Sequence, residues 1–579
     1  MCKPMMTTSP YSSTRSLESQ AQSDRPAAQN YRLLRIFCWV VALALGAAQA
    51  WATRFTMNPD GISYLDIGDA YWRGDWHNAI NAYWSPLYSW ILGFFLKVLK
   101  PSAYWEYPLA HLVNFLIYAA ALACFEFFLS TRIRERGRRA ESSREEIGLS
   151  EFSWRLVGYS VFLSTSLLMI GLRLVTPDML VAACVYLATA LALKISGRPS
   201  RGTYTALGLV LGLGYLSKGV MLPLAFVFLA AVLLTTGFSK SSLRNIGIAT
   251  LVFLCIASPF GLALSYAQGR LTFGDVGPIA YEIYIDRIDV FAPNNPGLLH
   301  PVRNVLDQPS ILEFSNPIAG TYSLWYDPPY WHAGLKPHWN LKGQLLAIGL
   351  ALLLYVWIPI TYQLNLTAPF LMLLLVAARP WACCMRAAGF FQLTIPAVLA
   401  LLLYAGVYAE SRYLAPFYAL LWLAAFSGLR FPNSVGMKRL VIIAAIAVFA
   451  SQLAVYQLMK QASPGPVYWD AAMALKSLGL NPGNKLAVFA PEPFGEGGAF
   501  VARLDRAKII IESRDTEGPW VNDVIATARL TDFLKKAGVR AALWYGEPAS
   551  NSAIPWKRLG QTHYYAYFLS AGDISTVPH

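Results

Sequence analysis

Residues 57–64 read Met57-Asn58-Pro59-Asp60-Gly61-Ile62-Ser63-Tyr64, and they follow shortly after an apolar run from Leu34 to Thr53. The run of about 20 residues is long enough to cross a bilayer as a helix. The octapeptide has the pattern of a helix start, since Asn suits the N-cap and Pro suits the first helical position, and Gly74 can end that helix. We therefore predict a first membrane span that leads into a short helix outside the bilayer.

The composition of the whole chain is that of a membrane protein. Of its 579 residues, 56% are hydrophobic and 14% are charged, against about 25% charged residues in soluble proteins. A soluble core does not need this much apolar surface, which excludes soluble, disordered, collagen-like, coiled-coil and disulfide-stapled classes. The net charge of +14 is explained by Lys and Arg in cytoplasmic loops, so we predict membrane lipids and no nucleic acid as partners.

Ten further apolar segments follow the first span. They lie near residues 107–129, 154–172, 177–193, 204–216, 220–236, 246–266, within 345–378, and near 387–408, 414–429 and 440–459. Arginines are concentrated in 131–150, and basic residues recur in every second loop, which places these loops in the cytoplasm. This bias requires an odd number of crossings within 345–378. We predict about eleven spans, possibly thirteen, in the inner membrane of a bacterium.

The spans divide the chain into three parts. Residues 1–33 are predicted to be a disordered cytoplasmic tail, residues 34–459 a transmembrane domain with outer loops 54–106 and 267–342, and residues 460–579 an extracytoplasmic domain. In that last part, strand-like and helical stretches alternate, which predicts a small α/β fold. These stretches are Ala471–Leu478, Lys485–Phe489, Ile509–Ile511, Thr527–Ala537 and Ala541–Tyr545.

Two aspartates fall in the first turn of a predicted helix on the outer side of the membrane. Asp60 follows Asn58 and Pro59, and Asp178 follows Pro177 at the start of the fourth span. The N-terminus of a helix stabilises an ionised carboxylate, so each aspartate could simply cap its helix. Carboxylates at the membrane boundary are costly and usually functional. Two on the same face favour an active site with Asp60 and Asp178 as its catalytic groups.

Three cations lie close to these aspartates in the predicted topology. Lys218 and Arg412 face outward, where the positive-inside rule disfavours them, and Arg173 shortly precedes Asp178. Each could be a long side chain that extends toward the membrane interface. Together they would hold a lipid-linked phosphate in a partly dry cleft. We therefore predict Lys218, Arg412 and Arg173 as phosphate-binding residues.

Aromatic residues accompany the charged ones. A second short helix is predicted from Pro86 to about Lys100, lying in the membrane surface with Trp84, Tyr88 and Trp90 as anchors. Aromatic rings stack on sugars as readily as they form a membrane belt. The candidate substrate contacts are Tyr64, Tyr88, Tyr413, Trp325 and Tyr326.

The sequence indicates no particular cofactor and leaves a divalent metal open. His300, His332 and His338 lie near Asp327 in the long outer loop, but they lack HxH or HxxxH spacing, which gives no support for a divalent metal. The seven cysteines form no CxxC pair, which gives no support for zinc or for a disulfide framework.

The outer-facing motifs resemble those of the GT-C glycosyltransferases, in particular the family of the protein O-mannosyltransferases and the aminoarabinose transferase of lipid A. Five stretches in the same order and with the same sidedness carry this resemblance. They are Pro59-Asp60-Gly61-Ile62-Ser63-Tyr64, Ser85-Pro86-Leu87-Tyr88, Thr176-Pro177-Asp178, Leu216-Ser217-Lys218-Gly219 and Arg412-Tyr413-Leu414-Ala415-Pro416.

The resemblance implies a polytopic α-helical GT-C fold and transfer of a hexose or pentose from a polyprenyl-phosphate donor. The acceptor would be a hydroxyl of a lipid, glycan or protein outside the cytoplasm. Asp60 would be the catalytic base and Asp178 a second active-site carboxylate, while Lys218 and Arg412 would bind the donor phosphate. Many members of the family have Asp-Glu where this chain has Asp60 and Gly61. Because phosphate is a good leaving group, the reaction needs no strong general acid. It needs a base for the acceptor hydroxyl and positive charge for the departing phosphate. Direct displacement by the hydroxyl would invert the anomeric carbon.

Three other functions stay open from the sequence. A polysaccharide polymerase or ligase would also have large outer loops. A secondary transporter would have inverted repeats, which the sequence does not show. An assembly factor would use the C-terminal region as a binding module and Asp60 only as a helix cap.

Overall fold

The structure, a computed structural model, describes a polytopic helical protein with a small strand-containing region. The described residues are 12–139, 146–289, 297–307, 310–314, 319–458, 465–490, 497–513, 524–548, 552 and 554–569. This confirms the predicted fold class.

Apolar helices of different lengths form the membrane part of the molecule. They are α1 (Ser12–Ala52), α5 (Ala103–Arg139), α6 (Glu151–Leu163, continued by a π-helical segment Ser164–Ile170), α7 (Asp178–Gly197), α8 (Arg201–Ser217), α9 (Met221–Thr236), α10 (Lys240–Gln268), α14 (Leu341–Thr361), α15 (Leu364–Leu375), α16 (Pro380–Ala388), α17 (Phe391–Ala405), α18 (Ser411–Gly428) and α19 (Val435–Leu458). A two-residue ribbon of β1 (Glu146–Ile147) and β4 (Phe431–Pro432) joins two of their connections.

All eleven predicted spans correspond to helices. Within the described residues, seven helices are long and apolar enough to cross a membrane, or eight if the bent pair α16 and α17 is one span. The three remaining predicted spans are α8, α9 and α18, with 17, 16 and 18 residues. Between residues 345 and 378 there is one long helix and the 12-residue α15, which at about 18 Å is too short to cross. This agrees with the odd number that the charge bias required, and eleven crossings in a bilayer stay a prediction.

The two loops that were predicted to lie outside the membrane contain short helices that pack on the membrane part. In the first loop these are α2 (Pro59–Arg73), α3 (Trp76–Ala79) and α4 (Pro86–Leu99), and in the long loop they are α11 (Val276–Tyr284), α12 (Ser323–Tyr326) and α13 (Pro328–Trp331). The predicted bounds of α2 and α4 are confirmed, with a proline at the start of each and Gly74 at φ 79° after α2. Asn58 and Ser85 are the N-cap residues, as predicted, although neither side chain forms a hydrogen bond with its own helix.

The C-terminal region is an α/β unit around one mixed sheet. Its elements are α20 (Val467–Ser477), β5 (Lys485–Phe489), α21 (Gly498–Leu504), β6 (Lys508–Ser513), α22 (Val524–Lys536), β7 (Val539–Tyr545), β8 (Lys557–Arg558) and β9 (Tyr564–Phe568). The predicted strands β5, β6 and β7 lie at its centre, with β5 parallel to both neighbours.

The same sheet also contains a hairpin from the long loop. Strands β2 (Arg303–Asp307) and β3 (Ser310–Glu313) extend it beyond β6, with Ile311 opposite Ser513. The strand order is therefore β2-β3-β6-β5-β7-β9-β8. The unit predicted to begin at residue 460 thus includes a piece of the loop 267–342, and this ties the loop to the C-terminal region.

The first helix differs from the prediction at its N-terminal end. Helix α1 begins at Ser12, inside the segment 1–33 that we predicted to be disordered. Extending an existing helix needs no new nucleation, so polar residues can continue the helix of a membrane span. Residues 1–11 of that segment lie outside the described residues.

Candidate active site

The start of α2 packs directly against the turn that precedes α7. The Asn58 side chain accepts a hydrogen bond from the backbone N–H of Val175 at 2.8 Å. A Cβ atom on Gly61 would come within 2.9 Å of Val175 Cβ and 2.6 Å of Met57 Sδ. Glycine at position 61 therefore permits an approach that brings the first turns of α2 and α7 together. This explains why the residue after Asp60 is small in this chain.

Asp178 is buried and lies in a network of hydrogen bonds and ion pairs. Lys218 Nζ is 2.6 Å from Asp178 Oδ1, and the Thr176 hydroxyl donates to Asp178 Oδ2 at 2.9 Å. Arg412 Nη1 lies 3.6 Å from Asp178 Oδ2. Lys218 stands between α8 and α9, so the outward-facing lysine predicted from the sequence does reach the carboxylate at the start of α7. A positive charge therefore lies next to each of the two carboxylate oxygens of Asp178.

Asp60 has a more open environment. Its side chain is 22% exposed, against 3% for Asp178. Trp325 Nε1 donates to Asp60 Oδ1 at 3.1 Å, and Arg412 Nη1 and Nη2 lie 3.4 Å from Asp60 Oδ2. The long loop therefore supplies a residue to this site, and Arg412 connects the two carboxylates.

Tyr413 and Glu410 complete the surroundings of the cations. Lys218 Nζ lies 3.5 Å from the centre of the Tyr413 ring, a cation–π contact, and Arg412 Nη2 donates to the Tyr413 hydroxyl at 3.2 Å. Glu410 Oε2 lies 3.0 Å from Arg412 Nε. Glu410 was missed by the sequence analysis, although its place two residues before Arg412 in a helix-start segment was a usable signal.

The structure joins six of the ten predicted site residues by direct contacts, and the other four make different contacts. The first group is Asp60, Asp178, Lys218, Arg412, Tyr413 and Trp325. Arg173 is exposed in the turn before α7, and its role in phosphate binding stays a prediction. Tyr326 is buried, and its hydroxyl donates to the Asn78 carbonyl on the far side of the loop.

Tyr64 and Tyr88 lie beneath the site. Tyr88 is fully buried and donates to Asn114 at 2.6 Å, and Tyr64 packs edge-on against both Tyr88 and Trp84. Burial also raises the pKa of Tyr64 well above its ordinary value. The prediction that Trp84 and Tyr88 are anchors at the membrane surface is wrong, because both rings are buried in the protein interior, Trp84 just before α4 and Tyr88 on it.

The histidines of the long loop make separate contacts. His332 Nδ1 is 3.0 Å from Glu282 Oε2 in a buried pair, and His300 stacks on Tyr330. Burial raises the pKa of the Asp327 carboxyl, in the same loop, to about 6, so this group takes up a proton at a higher pH than an ordinary aspartate does. In the part of the chain that the structure describes, no three His, Cys, Asp or Glu side chains form a group that could hold a metal ion.

Comparisons with known proteins identify the fold. A sequence model of the dolichyl-phosphate-mannose-protein mannosyltransferase family matches residues 155–262, which contain Asp178 and Lys218. The crystal structure of ArnT from Cupriavidus metallidurans is similar over 94% of this chain and 99% of that one, with a TM-score of 0.53 and 13% identity. This chain has the GT-C fold. The resemblance stated from the sequence is thereby confirmed.

More distant GT-C structures also align with the chain. The oligosaccharyltransferase of Archaeoglobus fulgidus has a TM-score of 0.48 and 11% identity, over 88% of this chain and 68% of that one. The mycobacterial arabinofuranosyltransferase AftD has a TM-score of 0.41 and 13% identity, over 92% of this chain and 40% of that one. No curated protein matches the chain by sequence.

Proposed function

We propose that this GT-C chain transfers a sugar from a polyprenyl-phosphate donor to an acceptor hydroxyl on the extracytoplasmic side of a bacterial inner membrane. The observation that carries the proposal is the convergence of Asp60, Asp178, Lys218 and Arg412 from four different elements. Two carboxylates and two cations supply what the reaction needs, namely a base for the hydroxyl and positive charge for the departing phosphate. The matched family model, whose enzymes are described as using dolichyl-phosphate-mannose, supports a donor of this class.

Asp60 is the better candidate for the base. Asp178 is held by Lys218, Thr176 and Arg412, so protonating it would break an ion pair and a hydrogen bond. Asp60 accepts a hydrogen bond from Trp325 at 3.1 Å and longer ones, at 3.4 Å, from the two Nη atoms of Arg412. Its exposed fraction also leaves room for an acceptor hydroxyl. We assign Asp178 the role of orienting Lys218 and Arg412.

The cations have the geometry for a departing phosphate. Lys218 is fixed between Asp178 and the Tyr413 ring, and Arg412 presents both Nη atoms to the side on which Asp60 lies. A positive charge that is already held in place costs no reorganisation when the bond to the sugar breaks. Attack by the acceptor hydroxyl opposite the phosphate would invert the anomeric carbon. The sugar, a hexose or a pentose, and the acceptor, a lipid, glycan or protein, are to be found by experiment.

Turnover of polyprenyl-phosphate sugars by the purified protein tests this function. We expect wild-type protein to release polyprenyl phosphate in the presence of an acceptor, and Asp60→Asn to lower the rate by at least about 100-fold. As a helix-terminus charge alone, Asp60 would be worth only about 0.3–1 kcal/mol. Asp470→Asn is the matched control, because Asp470 also lies in the first turn of a helix, α20, and is exposed on the C-terminal unit. Near-normal turnover by Asp60→Asn would remove the proposed base.

A further inference from the structure

One buried arginine joins the C-terminal unit to the helix that carries Asp60. Arg503 lies on α21, and its side chain is 3% exposed. Its Nη1 is 2.5 Å from Asp66 Oδ1, its Nη2 is 2.7 Å from Asp69 Oδ2, and its Nε is 2.6 Å from Glu106 Oε1. Asp66 and Asp69 belong to α2, and Glu106 belongs to α5. The planar guanidinium has enough fixed donors to meet three carboxylates at once.

Asp66 extends this junction to the long loop. Its Oδ2 accepts the backbone N–H of Thr321 at 2.7 Å, and its Oδ1 accepts the Thr321 hydroxyl at 3.0 Å. The carbonyl of Thr321 in turn accepts the N–H of Ile509 on β6 at 2.9 Å. Thr321 is thus held by the first loop on one side and by the C-terminal sheet on the other.

Thr321 leads directly into α12, which presents Trp325 to the site. The Trp325 carbonyl accepts hydrogen bonds from the Ser63 hydroxyl at 2.9 Å and from Trp84 Nε1 at 3.0 Å. The Trp325 ring donates to Asp60. Asp66 follows Asp60 by about 9 Å along the axis of α2. The contacts therefore close a ring that runs from Asp60 to Asp66, then to Thr321 and through Trp325 back to Asp60.

We infer that Arg503 is a positioning residue for sugar transfer: by fixing Asp66 and Thr321, it holds Trp325 against Asp60. This inference rests on the proposed function, and it gives the C-terminal unit a part in the reaction without contact with the substrates. If the interface served only to dock the C-terminal unit, the loss of any of its ion pairs should have a similar effect on transfer. A positioning role predicts a larger effect for the ion pair between Arg503 and Asp66 than for the others.

The neighbouring Arg506 provides a matched comparison. It binds Asp69 at 3.2 Å and Glu106 at 2.6 Å, and its side chain is 43% exposed. Among the described contacts of Arg506, none involves Asp66. Arg506→Gln therefore removes two ion pairs of the same interface while it leaves the contacts of Asp66 with Arg503 and Thr321 in place.

The first test compares kinetic constants. Arg503→Lys keeps the charge, but an ammonium group cannot meet three carboxylates in one plane. We expect kcat to fall by about 10- to 100-fold, because small displacements of positioned groups cost this much. KM for the donor should change far less than kcat, because Lys218 and Arg412 are untouched. Arg506→Gln should keep a kcat near that of the wild type, and an equal loss in both variants would reduce Arg503 to a docking residue.

The second test asks whether Arg503 acts through Trp325. Trp325→Phe removes the indole N–H that donates to Asp60, and it should lower kcat by itself. In that background Arg503→Lys should cause a clearly smaller further loss than it causes alone, because residues of one network are not additive. Fully additive losses would contradict the inference.

Backbone hydrogen exchange over residues 319–326 gives a result that does not depend on activity. We expect faster exchange in Arg503→Lys and unchanged exchange in Arg506→Gln. The Thr321→Val variant loses a single hydrogen bond to Asp66, and its residues 319–326 should also exchange faster than those of the wild type. Equal exchange in wild type and Arg503→Lys would overturn the positioning role. Faster exchange in a protein whose wild type transfers no sugar would instead overturn the proposed function and leave this contact established.

Discussion

Lys218 and Arg412 are the two cations that lie against the paired aspartates. We expect Lys218→Gln and Arg412→Gln to weaken binding of polyprenyl phosphate by about 2–4 kcal/mol each, because a charged contact in a partly dry cleft is lost. Glutamine keeps an N–H donor for the neighbouring carboxylate, which limits the damage to folding. Equilibrium binding with thermal stability measured in parallel checks this. Lys97→Ala, an exposed cation on α4, is the control, and unchanged affinity in both glutamine variants would make the cations structural.

Asp178 should behave differently from Asp60. Its contacts with Lys218 and Thr176 indicate that it orients the cations. We therefore expect Asp178→Asn to raise the donor KM and to lower kcat less than Asp60→Asn does. Steady-state kinetics of the two variants side by side checks this order. A larger kcat loss in Asp178→Asn, with donor binding intact, would exchange the two roles.

Individual residues could be predicted where a local signal marks them. Asp60, Asp178, Lys218 and Arg412 each stand at a helix boundary, which the proline, glycine and charge patterns indicate. Tyr88 has no such signal, because its burial depends on packing against α5 and Tyr64. The same holds for Asp66, whose partners Thr321 and Arg503 come from remote parts of the chain.

At the scale of elements, α2 and α4 cross at two glycines. A Cβ on Gly93 would lie 2.6 Å from the Gly68 carbonyl oxygen and 2.5 Å from Trp72 Cδ1. Gly93→Ala should therefore separate the helices, lower stability by about 1–3 kcal/mol and reduce transfer, because α2 carries Asp60. Thermal stability and turnover check this. Gly349→Ala in α14 is the control, since nothing lies within 4 Å of the added atom, and equal effects of both would contradict the close crossing.

Elements with their own start and stop signals were predicted well, and long-range pairing was not. The prolines and Gly74 gave the bounds of α2 and α4, and alternating apolar runs gave β5, β6 and β7. The hairpin of β2 and β3 joins a sheet whose other strands lie in the C-terminal region. Such pairing is set by tertiary contacts, and no local pattern in the loop reveals its partner.

At the scale of the whole molecule, stability should depend on pH through Asp505 at the end of α21. Burial raises the pKa of this carboxyl to about 7, against the ordinary value of about 3.9. Between these values the native protein binds more protons than the unfolded chain, so stability falls as the pH rises from about 4 to 7. Asp505→Asn should flatten this dependence, and thermal unfolding across that range checks it. An identical slope in the variant would contradict the prediction.

The charge bias also predicts how the molecule lies in the membrane. Pro482 and Pro278 are exposed and predicted to be outside, and Cys384 is exposed and predicted to be inside. In a background without the other cysteines, an impermeant thiol reagent should label Pro482→Cys and Pro278→Cys in intact cells and should reach Cys384 only after lysis. Labelling of Cys384 in intact cells would invert the topology.

The location of the donor phosphate tests the central claim most directly. A cryo-electron microscopy map of the Asp60→Asn protein with a polyprenyl phosphate can show this location. We predict phosphate density within hydrogen-bonding distance of Lys218 and Arg412, on the side of the cleft that Asp60 and Trp325 face. Phosphate density at another place, such as the apolar groove beside Arg54 and Lys100, with an empty cleft at Lys218, would contradict the account.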